Sequence, residues 1–254
     1  MEKCIKEQKI SGILFPGDGF NYDAHPYHPQ PKARPRYSKI LVEIAKEQGI
    51  PLVGACGGLQ AVMYSEGINL KRVSSMVGHD HAKNHTLSET HTNLSNVDFL
   101  AQNCREQEVI EGTKLYSFLK KAEANAGINN DGKPYFMNPE AHGGAIDLDP
   151  TNINKLKEKG YKISARSPDK IIQGVEHAKY NITLFQGHPK ALAAKKHATS
   201  VNLFKHFLIN PAIELHNKNY VHEKHNGDMK QFEGEFMRKI MEAENERKEG
   251  PELH

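Results

Sequence analysis

The segment that most constrains the fold of this chain reads PLVGACGGLQAVMY, residues 51–64. A short apolar run, Leu52–Ala55, leads directly into Cys56, and a helical pattern follows the cysteine. Gly54–Gly58 has the form G-x-C-x-G, the cysteine version of the nucleophile elbow. In that tight turn the backbone is strained and bulky neighbours would clash, so glycines flank the nucleophile. The segment predicts a strand that ends at a thiol and a helix that begins after it.

A cysteine at such a corner is suited to nucleophilic catalysis. The thiol would lie above a helix N-terminus, where unpaired N–H groups and the helix dipole favour the thiolate. The amide of Gly57 would be placed to stabilise an oxyanion. The alternative is a small buried cysteine in a glycine-rich turn, and the pentapeptide alone leaves both interpretations open.

A cysteine nucleophile also needs a base, usually a histidine that is distant in sequence and close in space. His188, in the sequence Gln186-Gly-His-Pro189, follows an apolar strand pattern and would stand at a strand end. Functional sites of open α/β sheets collect at strand ends. A histidine before proline is also a common turn residue, but together with the elbow it is the best candidate base among 15 histidines.

The order of predicted elements is typical of an α/β protein. Strand and helix patterns alternate in the first 65 residues, which predicts a mostly parallel open sheet with helices on both faces. The predicted strands are 10–15, 52–55, 135–138, 162–165, 171–176 and 183–186, and the predicted helices are 37–48, 59–65 and 199–209. We therefore expect one domain over residues 1–210 and a charged C-terminal extension, helical or disordered, over residues 211–254.

Composition excludes several functional classes. A net charge of +3 over 254 residues gives no basic stripe of the kind that binds nucleic acid. Three cysteines are too few for a disulfide framework, and no apolar run is long enough to span a membrane. The charged N-terminus lacks the apolar region of a signal peptide. These features predict a cytoplasmic protein that binds neither membranes nor nucleic acids.

The ordered set of motifs resembles the class I glutamine amidotransferase-like family. The resemblance is greatest to its peptidase C26 branch, which hydrolyses γ-glutamyl-γ-aminobutyrate. Four segments carry it, in the expected order: LFPGDG at 14–19, VGACGGLQ at 53–60, FMNPEAH at 136–142, and QGVE at 173–176 followed by LFQGHP at 184–189. The resemblance implies a flavodoxin-like sheet and thiol-dependent hydrolysis of a γ-glutamyl amide through a thioester.

The resemblance also assigns roles to particular residues. Cys56 would be the nucleophile and His188 the general base, while Gly57 and Asp18 would form the oxyanion hole. Gln60 and His142 would contact the substrate, a small γ-glutamyl compound such as glutamine or a γ-glutamyl amine. No metal or other cofactor is implied.

Three departures from the family pattern qualify these expectations. Lys190 stands where the family has the glutamate that orients its histidine, and its charge opposes protonation of His188; Glu140 or, less readily, Glu176 could substitute. Asp18 replaces a glycine of the Pro-Gly-Gly loop. The family's first strand–helix unit is apparently missing, which predicts an exposed sheet edge that a second copy or a partner chain could cover.

Two rival functions follow from these departures. One is a catalytically impaired family member with a binding or scaffolding role, and the other is a glutaminase subunit of a partner synthetase. The histidines between His79 and His91 also suit zinc, but their spacing is not diagnostic, so we expect an ordinary polar loop there rather than a metal site.

Overall fold

The computed structural model describes residues 2–17, 33–78, 104–121, 126–128 and 132–220. Most of its strands form one eight-stranded sheet in the order β1-β2-β10-β9-β8-β4-β6-β5, and β3 pairs with β7 in a second, small sheet. The strands are β1 (Ile13–Phe15), β2 (Leu52–Ala55), β3 (Leu70–Arg72), β4 (Cys104–Val109), β5 (Ala126–Ile128), β6 (Pro134–Pro139), β7 (Gly144–Ile146), β8 (Tyr161–Arg166), β9 (Ile172–His177) and β10 (Ile182–Phe185).

Helices precede, separate and follow these strands. The described helices are α1 (Glu2–Glu7), α2 (Arg34–Gln48), α3 (Gly57–Ser65), α4 (Val73–Val77), α5 (Lys114–Lys121), α6 (Pro150–Glu158), α7 (Pro189–Ala194), α8 (Ala198–Phe204) and α9 (Asn210–Tyr220), with a π-helical turn at Lys205–Ile209 between α8 and α9. None of them is both long and apolar enough to cross a bilayer.

The predicted α/β class is confirmed, but the large sheet is mixed rather than mostly parallel. Only β1, β2 and β10 are parallel neighbours, and the other pairs are antiparallel. The links between β8, β9 and β10 are short turns, and a short turn can join only antiparallel neighbours. The parallel part is the part that carries Cys56.

Helices pack on both faces of the sheet, as predicted. Adjacent residues of one strand point to opposite faces, and the structure shows two separate apolar cores. Leu52 and Leu184 pack with α2, α3 and α6 in the first core. Val53 and Phe185 pack with α5, α8 and the π-helical turn in the second. The sheet is therefore covered on each side near the residues that lead to Cys56 and His188.

The C-terminal helix α9 packs on the start of β1, which is the terminal strand of the sheet. A β-carbon on Gly12 would lie 3.2 Å from Cβ of Ala212, and the hydroxyl of Ser11 lies 3.2 Å from Nδ1 of His216. Ala212 and Ile213 are buried. Residues 211–220 thus pack as part of the fold, beyond the boundary predicted at residue 210. The remainder of the predicted extension, 221–254, lies outside the described residues.

His177 provides a pH-dependent part of the stability. Its Nδ1 accepts hydrogen bonds from the backbone N–H groups of Lys179 and Tyr180. Burial, aided by the positive charge of Lys46, lowers the pKa of His177 from 6.5 to about 4. The unfolded chain therefore binds this proton more readily, so the contribution is complete above pH 6.5 and is lost as the pH falls towards 4.

We expect the free energy of unfolding to fall by about 2 kcal/mol between pH 7 and pH 5 because of this residue. The variant His177→Asn keeps an acceptor for the two N–H groups and cannot titrate, so it should lose that part of the pH dependence. Urea unfolding of both proteins at the two pH values measures the difference. Equal pH dependence in the two proteins would contradict the assignment.

Candidate active site

Cys56 stands at a strained corner between β2 and α3. Its backbone has φ 51° and ψ −112°, a conformation that side-chain-bearing residues rarely adopt and that costs on the order of 1–3 kcal/mol. Its N–H donates a 2.7 Å hydrogen bond to the carbonyl of Phe185, which ties the corner to β10. The strand–cysteine–helix corner predicted from the sequence is therefore observed, with its strain located at the cysteine.

The same geometry places a backbone donor beside the thiol. Gly57 is the first residue of α3, so its N–H has no acceptor within the helix. An N–H in that position, reinforced by the helix dipole, favours negative charge at or near the sulfur. Its predicted oxyanion-hole partner, Asp18, lies outside the described residues.

His188 follows β10 and precedes the first turn of α7. It is buried, and its N–H donates a 2.8 Å hydrogen bond to the carbonyl of Pro139. The bond fixes the backbone of the histidine to the end of β6. The strand-end location predicted for His188 is observed.

Gly17 shows how close the two candidate catalytic residues lie. A β-carbon built on Gly17 would lie 3.3 Å from Cβ of Cys56 and 3.3 Å from Cε1 of His188. Both side chains therefore border the same small volume, on the side where the Pro16-Gly17 loop approaches. Residues 132 positions apart in sequence (188 − 56) meet across the end of the parallel strands.

The thiol is shielded from solvent but has polar neighbours. Cys56 is 5% exposed, and its Sγ lies 3.7 Å from the carbonyl oxygen of Ala141, which accepts a hydrogen bond from it. The carbonyl and the imidazole of His188 distinguish this environment from an apolar core. A resting thiol, with its proton towards Ala141, fits this arrangement.

Gln60 lies one helical turn after the cysteine and is almost fully buried. Its Nε2 donates a 2.9 Å hydrogen bond to the carbonyl of Gly144. Within the part of the chain that the structure describes, its Oε1 accepts no hydrogen bond. Gln60 therefore offers an unused acceptor next to the nucleophile.

His142 is buried beneath the loop that carries it. Its Nδ1 lies 3.1 Å from the carbonyl of Gly144, so Nδ1 carries the proton and donates. Its Nε2 lies 3.2 Å from Nε2 of Gln173 and accepts from that amide. Both ring nitrogens are thus engaged inside the protein. A direct substrate contact by this ring stays a prediction, and the observed contacts are those of a loop support.

The acids proposed to replace the family glutamate have different locations. Glu176 accepts hydrogen bonds from the N–H groups of Lys114 and Leu115 and so caps α5. Glu140 is fully buried, accepts a hydrogen bond from Gln107 and lies one residue from the site carbonyl of Ala141. Of the two, Glu140 belongs to the site. Lys190, at the family's glutamate position, is buried in the first turn of α7.

The residues weighed for metal binding, His79–His91, lie outside the described residues. Among residues 2–17, 33–78, 104–121, 126–128 and 132–220, no group of three or more His, Cys, Asp or Glu side chains is arranged to hold a metal ion.

The protein-family model described as Peptidase C26 matches residues 8–190. That range contains β1, the Cys56 corner, the loop of Ala141 and His142, and His188. A search of curated proteins gave no significant match.

Solved structures of the glutamine amidotransferase type resemble the fold distantly. A glutaminase domain of CTP synthase from Trypanosoma brucei with bound acivicin matches with 14% identity and a TM-score of 0.48 over 80% of this chain and 71% of that one. A GMP synthase component from Thermoplasma acidophilum gives 12%, 0.45, 82% and 98%. A glutamine amidotransferase from Thermotoga maritima gives 15%, 0.40, 92% and 76%. The family match, rather than these distant likenesses, carries the assignment.

Proposed function

Because this chain belongs to the peptidase C26 family, we propose that it hydrolyses a γ-glutamyl amide bond with Cys56 as nucleophile and His188 as general base. The observation that carries the proposal is the approach of both residues to one point beside Gly17. The strained backbone of Cys56, which presents the thiol at a helix N-terminus, supports it. The substrate class is a small γ-glutamyl compound, glutamine or a γ-glutamyl amine.

In the first half-reaction His188 takes the thiol proton and the thiolate attacks the γ-carbonyl carbon of the substrate. The carbonyl oxygen becomes an oxyanion, which the N–H of Gly57 stabilises. His188 then gives its proton to the departing nitrogen, the C–N bond breaks, and ammonia or an amine leaves a thioester on Cys56.

In the second half-reaction water attacks the thioester carbon while His188 takes a proton from that water. The C–S bond breaks, glutamate leaves, and the proton returns to the sulfur. The carbonyl of Ala141 favours the protonated thiol at rest, so the proton must pass to His188 before attack.

Gln60 has the geometry of a substrate-recognition residue in this proposal. Its Nε2 is held by the carbonyl of Gly144, which orients the side chain, and its Oε1 accepts no bond from the described residues. An acceptor in this position suits the α-ammonium group of a glutamyl substrate, because burial strengthens a hydrogen bond from a cation.

Lys190 favours a second candidate, a binding protein of the same fold with impaired turnover. The lysine is buried two residues after His188, where its charge opposes formation of the imidazolium. In this alternative the site would still bind a γ-glutamyl ligand, but Cys56 would not be an activated nucleophile.

Labelling with a glutamine-like chloroketone separates the two candidates. Cys4 is exposed, whereas Cys104 is half-buried and burial raises the pKa of its thiol. Random reactivity would therefore favour Cys4. We expect mass spectrometry to find Cys56 modified about 10-fold faster than Cys4 despite its burial, because thiolate fraction controls reactivity. Labelling of Cys56 no faster than that of Cys4 would overturn the hydrolase proposal.

A further inference from the structure

One short segment, Pro139–Gly144, contacts both candidate catalytic residues and the helix of the nucleophile; we term it the bridging segment. Three of its backbone carbonyls make these contacts. Pro139 accepts from the N–H of His188 and Ala141 accepts from Sγ of Cys56. Gly144 accepts from the side chain of Gln60. The position of this backbone therefore determines where the base stands relative to the nucleophile.

The two polar side chains of the bridging segment point into the protein interior. The side chains of Glu140 and His142 are both 0% exposed, and Nε2 of His142 lies 3.6 Å from Oε2 of Glu140. Nε2 of Gln107 lies 3.1 Å from Oε1 of Glu140 and 3.3 Å from Oε1 of Gln173. Gln173 in turn contacts His142, which closes a buried polar cluster of four side chains.

The cluster extends to the turn that carries His188. Nδ2 of Asn138 donates a 3.2 Å hydrogen bond to Oε1 of Gln107. On its other side the amide packs against Gly187, where an added β-carbon would lie 2.4 Å from Nδ2 of Asn138 and 2.6 Å from the carbonyl oxygen of Pro139. The cluster and the bridging segment thus contact both residues 187 and 188.

A buried carboxylate is costly unless other groups offset its charge or donate hydrogen bonds to it. An apolar core would fill the same space at lower cost, but it would not fix the direction of a loop by hydrogen bonds. Hydrogen-bonded polar networks in a low-dielectric interior rigidify the segments they join. We propose, on the basis of the proposed hydrolase function, that Glu140 and His142 are positioning residues that hold the bridging segment between Cys56 and His188.

The test compares Glu140→Ala and Glu140→Gln with Glu108→Gln in the full chain. Glutamine at 140 keeps an acceptor for Gln107, whereas alanine removes it. Glu108 neighbours Gln107 on β4 but pairs with Lys133 and Lys170 away from the site, so it is a matched control. The readouts are kcat and KM for a γ-glutamyl amide, the thermal midpoint, and hydrogen exchange at the amide of His188.

We expect Glu140→Ala to lower kcat by about 10- to 100-fold with little change in KM, because misplacement of reacting groups by about 1 Å costs that much. Glu140→Gln should recover part of the loss, and Glu108→Gln should behave as the wild type. Exchange at the amide of His188 should become faster in Glu140→Ala alone. If this variant does not fold, Glu140→Gln and His142→Asn are compared with the control by the same measurements.

Wild-type kcat in folded Glu140→Ala, with only a lower thermal midpoint, would overturn the inference and leave Glu140 a purely stabilising role. If the wild type itself hydrolyses no γ-glutamyl amide, the proposed function fails, and hydrogen exchange still decides the placement. Faster exchange at His188 in Glu140→Ala, but not in Glu108→Gln, supports the positioning role in that case. Unchanged exchange contradicts it.

Discussion

Replacement of Cys56 by alanine should lower the hydrolysis of γ-glutamyl amides by about 10⁴-fold or more, because loss of the nucleophile removes the covalent pathway. Alanine has no thiol but keeps a β-carbon, so the strained corner at φ 51° is retained with the rest of the fold. Release of glutamate, followed by a coupled assay with enzyme in excess of contaminants, measures the loss.

The matched control is Cys104→Ala. Cys104 lies at the start of β4 and pairs with Pro139 across the sheet, so its removal alters a thiol near the bridging segment without altering the nucleophile. Circular dichroism should show both variants folded. More than one tenth of the wild-type rate in folded Cys56→Ala would exclude Cys56 as the nucleophile.

The second large effect concerns stability and the placement of α3. A β-carbon on Gly58 would lie 2.2 Å from the carbonyl oxygen of Phe15 and 2.8 Å from its carbonyl carbon. These are backbone atoms of β1, which cannot rotate away as a side-chain tip would. We expect Gly58→Ala to lower the free energy of unfolding by about 3 kcal/mol or more, since overpacking forces the backbone to shift.

Gly144→Ala is the control for this prediction. Its added β-carbon would lie no closer than 3.6 Å to any neighbour, an ordinary contact with Gln60. We expect its cost to stay below about 1 kcal/mol. Denaturant unfolding of both variants measures the contrast, and a Gly58→Ala cost equal to that of Gly144→Ala would show that α3 does not depend on this close approach.

The site's local elements could be predicted from sequence because each depends on neighbouring residues. The strand predicted at Leu52–Ala55 has the observed bounds, since an apolar run between proline and glycine signals permits few alternatives. The helix after Cys56 begins at Gly57, two residues earlier than the apolar pattern indicated. Glycines carry no periodic signal, so the start of such a helix is not visible in hydrophobic spacing.

The mixed sheet and the buried polar cluster could not be predicted in this way. Gln107 and Gln173 interrupt strand patterns as solvent-facing residues would, and only the pairing of distant strands shows that they are buried together. Helix α6 was missed although its N-cap is present in the sequence: Asp149 accepts a hydrogen bond from the N–H of Thr151. Its short apolar stripe did not distinguish it from a loop.

The role of His142 shows the limit of assignment by resemblance. The motif places this histidine in a substrate loop, and the structure places it in that loop with its ring turned to the interior. The direction of a side chain depends on which partners the fold brings to it, here Gly144 and Gln173. Those partners lie on β7 and β9, which the motif does not specify.

The most direct test of the Cys56–His188 pair is the pH dependence of iodoacetamide alkylation at Cys56 in the wild type and in His188→Asn. An imidazole that takes the thiol proton should keep Cys56 reactive down to about pH 6.5, where an ordinary thiol is only about 1% ionised. We predict that the variant reacts about 100-fold more slowly at pH 6.5 and approaches the wild-type rate above pH 9. Superimposable rate–pH curves for the two proteins would contradict the pairing of these residues.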